Sequence, residues 1–340
     1  MVRLAVAGLG FMGSTHLQAL RSVPGAVLAA VVSEDERKLA GDLSSISGNL
    51  NRPGEKLDFS AAKKYRKLEE ALADPEIDAV DLCLPTHLHA PAAVAALRAG
   101  KHVLVEKPMA LSVAETAAMI GAAEASGKTL MVAQVLRFWA DYQPLIEARR
   151  SGSLGEGRGF VFRRRCAAPQ WGKWLQDPAK GGGGVFDLLI HDVDLCIHLF
   201  GVPEAVSATG YEDLAAGIDL ITANLHYAGI GSVIVTGGWH HPKAYPFSME
   251  YTASFQGGTI EFSTAGRAAT LYDAGGEEKA LDVPAADGFA AELAYFVDCV
   301  AGGRAPERCR PEESAQAVAV TLRMLESRKR NGERLYLERA

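Results

Sequence analysis

The first 135 residues alternate short, β-branched or leucine-rich apolar runs with longer amphipathic stretches. Runs at 2–7, 27–32, 79–84, 102–105 and 130–133 have strand length and no polar alternation, the pattern of strands covered on both faces. Helical periodicity fills the stretches at 14–22, 35–43, 68–73, 90–99 and 113–126. Gly25 and Gly100 fall just past helix ends, and Ser112 stands where an N-cap is needed. The segment 44–60, rich in Ser, Asn, Gly and Pro, reads as a surface insertion. This alternation predicts a parallel βαβ sheet.

The pattern changes after about Arg137. A helix near 142–151 leads to a strand at 159–165, then a loop, a glycine run and another helix. Strands follow at 205–210, 218–227, 231–238, 248–256, 258–263 and 268–272, separated by turns such as Ala228-Gly229 and Gly257-Gly258, as in an antiparallel meander. Helices at 289–301 and 311–329 close the chain. The expected fold is α/β, with a doubly wound parallel sheet followed by a strand-rich region, the boundary lying at 120–140. There is no internal repeat and no long linker.

Composition narrows the function classes. A chain of 340 residues exceeds one ordinary core, so two domains are expected. The net charge of −6 gives no electrostatic reason for nucleic acid or an anionic membrane as partner. No apolar run reaches the roughly 20 residues that span a bilayer. The first apolar run, Leu4-Ala5-Val6-Ala7, is ended by glycine too soon for a signal peptide. Five dispersed cysteines (Cys83, Cys166, Cys196, Cys299 and Cys309) form no CxxC pair, which argues for a reducing compartment and against a zinc site or disulfide frame. A cytoplasmic enzyme is expected.

Three segments carry candidate chemistry. Gly8-Leu9-Gly10-Phe11-Met12-Gly13 follows a strand and opens a helix. That context suits a dinucleotide: tight turn, backbone approach to the pyrophosphate, close helix–strand packing and a favourable helix N-terminus. Val32-Ser33-Glu34-Asp35, where the ribose is read, has Ser33 in a place often acidic in NAD enzymes. Glu34 and Asp35 would repel a 2′-phosphate, whereas Arg37 and Lys38 stand near enough to receive one, so NAD is favoured and NADP stays open. Glu106-Lys107-Pro108 ends the fourth run, where ligands collect in open α/β folds, and Lys107 can polarise a substrate oxygen. In Gly181-Gly182-Gly183-Gly184-Val185-Phe186-Asp187-Leu188-Leu189-Ile190-His191, a glycine turn enters an amphipathic helix that stacks Asp187 on His191 four residues on. A carboxylate beside an imidazole suits acid–base work. His191, Asp194 and His198 also share helical spacing, yet no further ligand completes a metal site, so none is expected. His240-His241 reads as a strand or loop pair.

Together these segments resemble the Gfo/Idh/MocA family of oxidoreductases. The resemblance rests on GLGFMGSTH (8–16), LCLPTHLHA (82–90), HVLVEKP (102–108), VAQVLRF (132–138) and GGGVFDLLIHDVDLCIHLFG (182–201), and covers nearly the whole chain. It implies an NAD(P)-dependent dehydrogenase acting on a sugar, inositol or related polyol, with Lys107, Asp187 and His191 as the catalytic set. It implies cofactor contacts at Gly8, Gly10, Phe11, Met12, Gly13, Ser33, Glu34, Thr86, His89, Glu106 and Gln134, and substrate contacts at Arg137, Trp171, Trp174 and Gln176. The implied domains are a Rossmann domain over 1–135, an α/β domain with a large, mainly antiparallel open sheet over 136–310, and a C-terminal helix within 311–340 returning to the first domain. A homodimer or homotetramer through the open sheet follows from the same likeness. The alternatives are a non-catalytic dinucleotide sensor, which would usually lack part of the Lys/Asp/His set, and an NAD-dependent glycosidase.

Overall fold

A computed structural model describes residues 1–48, 52–170, 172–283 and 285–337. The chain forms two compact units, Met1–Val135 with Asp287–Ala315, and Leu136–Ala286 with Gln316–Ala340. In the first, six strands are β1 (Val2–Ala7), β2 (Ala26–Val32), β3 (Lys63–Tyr65), β4 (Ala79–Leu82), β5 (His102–Glu106) and β6 (Leu130–Ala133). They pair in the order β3-β2-β1-β4-β5-β6, every pair parallel. The chain reverses its winding between β1 and β4, which makes the carboxyl ends of these strands the natural ligand edge. Strands β4 and β6 are buried at every residue, which is why their sequences are apolar runs, broken only by Asp81 in β4. The polar edge strand β3, sequence KKY, gives no such signal.

Local signals position the helices. Helix Val113–Ser126 starts at Ser112, whose hydroxyl accepts the Glu115 N–H at 3.3 Å, and ends at Gly127 with φ 64°. Helix Gly288–Gly302 belongs to the first unit, where Phe289 packs 6.0 Å from the His16 ring. Only the start of Pro311–Lys329 belongs with the first unit, while Ala317, Val320 and Met324 are buried in the core of the second.

The second unit holds β7 (Gly157–Cys166), β8 (Ala205–Asp213), β9 (Ile218–His226), β10 (Ser232–Trp239), β11 (Ser248–Phe255), β12 (Gly258–Ser263), β13 (Arg267–Asp273), β14 (Glu278–Ala280) and β15 (Leu335–Tyr336). Their order is β14-β13-β12-β11-β7-β10-β9-β8-β15. This is not a simple meander: β7 inserts between β10 and β11, parallel to the first and antiparallel to the second. Its alternate residues Phe160, Phe162 and Arg164 point inward and are buried, which suits a central strand. Each buried phenylalanine contributes about 1.5–3 kcal/mol. They meet Leu145 and Val193 from helices Gln143–Ser151 and Ile190–Phe200 in one core on one face of the sheet.

Candidate active site

The glycine turn follows β1. Gly8 has φ 94°, and a Cβ there would stand 2.4 Å from the Cys83 carbonyl oxygen; one at Gly13 would stand 2.0 Å from the Gly8 oxygen. These two glycines are dictated by packing. A Cβ at Gly10 would meet nothing within 4 Å, so the space over the turn is open. Helix Phe11–Leu20 begins there with no side-chain cap, and Phe11 and Met12, in its first turn, are half-buried. Open space above uncapped N–H groups at a helix N-terminus fits a diphosphate.

Past β2, the Ser33 hydroxyl accepts the Asp35 N–H at 3.2 Å, and Asp35 caps helix Glu36–Leu39 by accepting from Arg37 N at 2.9 Å. Glu34 is exposed. Arg37 pairs with Asp42 at 3.0 Å. Arg66, which the sequence did not single out, reaches Glu36 at 2.7 Å and the Glu34 carbonyl at 3.5 Å. Only the pairing of β3 with β2 brings it there; in sequence it sits in an ordinary charged stretch.

Several expected cofactor residues have other duties. His89 is buried, with Nδ1 2.8 Å from the Pro108 oxygen and Nε2 2.8 Å from the Leu84 oxygen. Main-chain oxygens lie within hydrogen-bond distance of both ring nitrogens, and the neutral ring donates to one of them, fastening it between the loop after β4 and the bend after β5. Burial lowers its pKa, and the carbonyl contacts only partly oppose this. Gln134 is buried and donates to Ser314 Oγ at 3.2 Å. Glu106, also buried, lies 3.1 Å from His16 Nε2 and accepts the Lys107 N–H at 2.9 Å. Thr86 is buried at the start of a short turn, Thr86–Leu88. Lys107 is half-buried at the carboxyl end of β5.

In the second unit the glycine run is a packing necessity. A Cβ at Gly183 (φ 79°) would lie 2.7 Å from Asp219 Oδ2, and one at Gly184 would lie 2.8 Å from the Trp239 ring. The chain then makes a π-turn, Val185–Leu189, before helix Ile190–Phe200. A continuous α-helix was expected. The wider turn starts where Val185 N donates to Asp219 Oδ2 at 3.0 Å, and such turns recur at functional sites. Asp187 lies in the π-turn and His191 in the following first turn, both half-buried among buried neighbours.

Three buried arginine–aspartate pairs hold this segment. Arg164 grips Asp192 at 2.8 and 3.0 Å, Arg137 grips Asp194 at 2.8 and 2.7 Å, and Arg328 reaches Asp219 at 2.6 Å. Arg137, expected at the substrate, is fully buried on Asp194 and lies 3.3 Å from His198 Nδ1. Arg328 is a buried partner of Asp219 and Glu212. With Asp194 and His198 facing a guanidinium, that helix face does not suit a metal. Trp171 lies outside the described residues. Trp174 is half-buried and packs with Cys166, Leu175, Leu188 and Trp239, while Gln176 is half-buried in the same short turn, Lys173–Gln176. Past β10, His241 stacks on Tyr245 at 3.7 Å and tilts against His240 at 4.0 Å.

Of the residues expected to be catalytic, Lys107 lies in the first unit and Asp187 and His191 in the second. A family model described as an oxidoreductase family with an NAD-binding Rossmann fold matches residues 2–134, and one for the Gfo/Idh/MocA C-terminal domain matches residues 142–261. The scyllo-inositol 2-dehydrogenase (NADP(+)) IolU of Bacillus subtilis is 30% identical over 278 residues, 78% of this chain and 77% of that one. The chain belongs to the Gfo/Idh/MocA oxidoreductase family. Its first unit contains that family's NAD-binding domain. The myo-inositol 2-dehydrogenase of Thermotoga maritima is 30% identical over 201 residues, 59% of this chain and 55% of that relative. In such matches the chain spans about half the length of the curated relatives. The aldose-aldose oxidoreductase of Caulobacter crescentus, solved with glycerol, shares the fold with a TM-score of 0.83, 24% identity and 99% coverage of both chains.

Proposed function

We propose that this Gfo/Idh/MocA protein is an NAD(P)-dependent dehydrogenase moving a hydride between nicotinamide and a hydroxyl-bearing carbon of a sugar, inositol or related polyol. The observation that carries this reading is the joint presence of an open, uncapped glycine turn, Lys107 at the carboxyl end of β5, and Asp187 with His191 at the π-turn. When bound, the dinucleotide supplies the hydride acceptor. The N–H groups at Gly10 and Phe11 would hold its diphosphate. Lys107 donates to the reacting oxygen and polarises it. The His191 imidazole takes the hydroxyl proton, and Asp187 stabilises the resulting imidazolium. Trp174 and Gln176 are assigned to the substrate's carbon face and hydroxyls.

The end of β2 supports NAD as the preferred cofactor. Glu34 and Asp35 place negative charge at the ribose, and two of the nearby cations, Arg37 and Arg66, have carboxylate partners. The five cysteines, all buried and free of disulfides, support a reducing, cytoplasmic location. Among the described residues no helix is long and apolar enough to cross a membrane. The outward face of the second sheet, where Val161 and Tyr211 are exposed, is the surface we assign to a homodimer or homotetramer.

The test is a panel of inositols, sugars and sugar acids with both cofactors, following reduced nicotinamide. Lys107→Ala and His191→Ala should each lose turnover by about 100-fold or more while still binding dinucleotide. Wild-type turnover in either variant, or dinucleotide binding with no turnover on the whole panel, would sink the assignment.

A further inference from the structure

Beneath the glycine turn lies a buried ionisable cluster that the proposed chemistry leaves unused. His16, on the helix opened by the turn, is 0% exposed. Its Nδ1 lies 2.9 Å from Asp81 Oδ2 on β4, and its Nε2 lies 3.1 Å from Glu106 Oε1 at the end of β5. Cys83 Sγ stands 3.5 Å from both His16 Nδ1 and Asp81 Oδ1, and the Phe289 ring packs 6.0 Å away.

A neutral imidazole has one N–H and can donate to one carboxylate only. With a carboxylate at each ring nitrogen, both contacts are attractive only in the imidazolium: Nδ1 donates to Asp81, and Nε2 faces Glu106 as an ion-pair contact rather than an aligned hydrogen bond. Burial opposes that charge, but the Asp81 carboxylate outweighs it and holds the His16 pKa well above its ordinary value. Burial also pushes Glu106 up, yet the bond from His16 brings it below the usual range. Burial keeps the Cys83 thiol protonated. A ring held between two carboxylates at ion-pair distance makes the cluster an ion-pair bridge and not a metal cage. The bridge continues upward, because the other Glu106 oxygen accepts the Lys107 N–H at 2.9 Å.

We infer that His16 is a positioning residue for Lys107: clamped between Asp81 and Glu106, it fixes the Glu106 carboxylate and, through it, the main chain from which the Lys107 side chain projects. Dinucleotide turn and lysine strand are thereby tied by one buried ring. What Lys107 does rests on the dehydrogenase reading; where it sits does not.

The experiment uses the full chain as wild type, His16→Gln, Glu106→Gln and the double variant. One readout is the NMR signal of the Lys107 amine after 13C-dimethylation, identified by its loss in Lys107→Arg. The other is kcat, KM and the dinucleotide Kd. His16→Gln should shift or broaden the Lys107 signal and lower kcat by about 10- to 100-fold, as misplacement of a reacting group does, with Kd nearly unchanged. Glu106→Gln should do the same, and the double variant should be no worse than the more damaging single one. An unmoved Lys107 signal, or losses that multiply in the double variant, overturns the inference. Should His16→Gln fail to fold, Glu106→Gln, which keeps the side-chain shape, is judged by the same two readouts. A moved signal with no turnover in any protein refutes the dehydrogenase reading and leaves the positioning role standing.

Discussion

The three glycines of the dinucleotide turn are present for different physical reasons, and alanine separates them. At Gly13 a methyl group would collide with the Gly8 carbonyl oxygen, which the tight turn cannot move aside. Gly13→Ala should therefore cost about 1–3 kcal/mol of stability. Gly10 has φ −90° and open space around it, so Gly10→Ala should fold within about 0.5 kcal/mol of wild type. It should still weaken dinucleotide binding markedly, because the methyl group occupies the diphosphate's approach. Thermal melts and dinucleotide titrations of both variants check this; undiminished binding by Gly10→Ala would place the diphosphate elsewhere. At the ribose, Glu34→Arg should raise the preference for NADP over NAD, and Ser33→Asp should lower it, read as the ratio of kcat/KM for the two cofactors. The turn was legible in the sequence because its reasons are local: a strand, three glycines and the start of a helix within the first 13 residues. The duties of His16 and His89 were not, because their partners arrive from β4 and β5 only once the sheet forms.

At the scale of elements, the segment carrying Asp187 and His191 depends on charges its own sequence does not display. Asp219 accepts the Val185 N–H that opens the π-turn and is itself paired with Arg328 from the last helix. Arg328→Met leaves that carboxylate buried without its guanidinium, and such a loss costs about 3–5 kcal/mol. Adding Asp219→Asn should recover part of it, since an amide oxygen still accepts from Val185 without carrying charge. Denaturant midpoints of the two variants decide the matter; a loss below about 1 kcal/mol in Arg328→Met would mean the pair is solvated. The buried strands and long helices could be read from periodicity to within a few residues. Apolar spacing did not separate the π-turn from an α-helix, since both repeat near four residues. The insertion of β7 between β10 and β11 is a pairing choice between distant strands, which local patterns do not encode.

For the whole molecule, the family and its order of sheets were legible from motifs, whereas the path of the chain between units was not. Residues 287–315 complete the first unit, and the apolar face of helix Gly288–Gly302 carries no mark of which sheet it will cover. Global stability should nonetheless report the buried histidines as a function of pH. Burial pushes His89, His102, His226, His240 and His241 below their ordinary value, so each contributes stability above about pH 6.5 that is lost as pH falls. The partly exposed His226, His240 and His241 contribute less than the buried His89. Glu106, held low, contributes above the ordinary glutamate range and loses its share as pH falls through its depressed value. His16 has the opposite sign. Its pKa is raised, so its contribution is complete below about pH 6.5 and is lost as pH rises toward the folded value, by about 1.4 kcal/mol per pH unit. Unfolding free energies of wild type and His16→Gln between pH 5 and 9 should therefore differ most at the acid end and converge as the solution becomes alkaline. The wild type itself should weaken below about pH 6.5, where the other histidines dominate. A difference that stays constant across the range would show that His16 is neutral in the folded protein, and the bridge from Asp81 to Glu106 would then lack the charge that both of its contacts require.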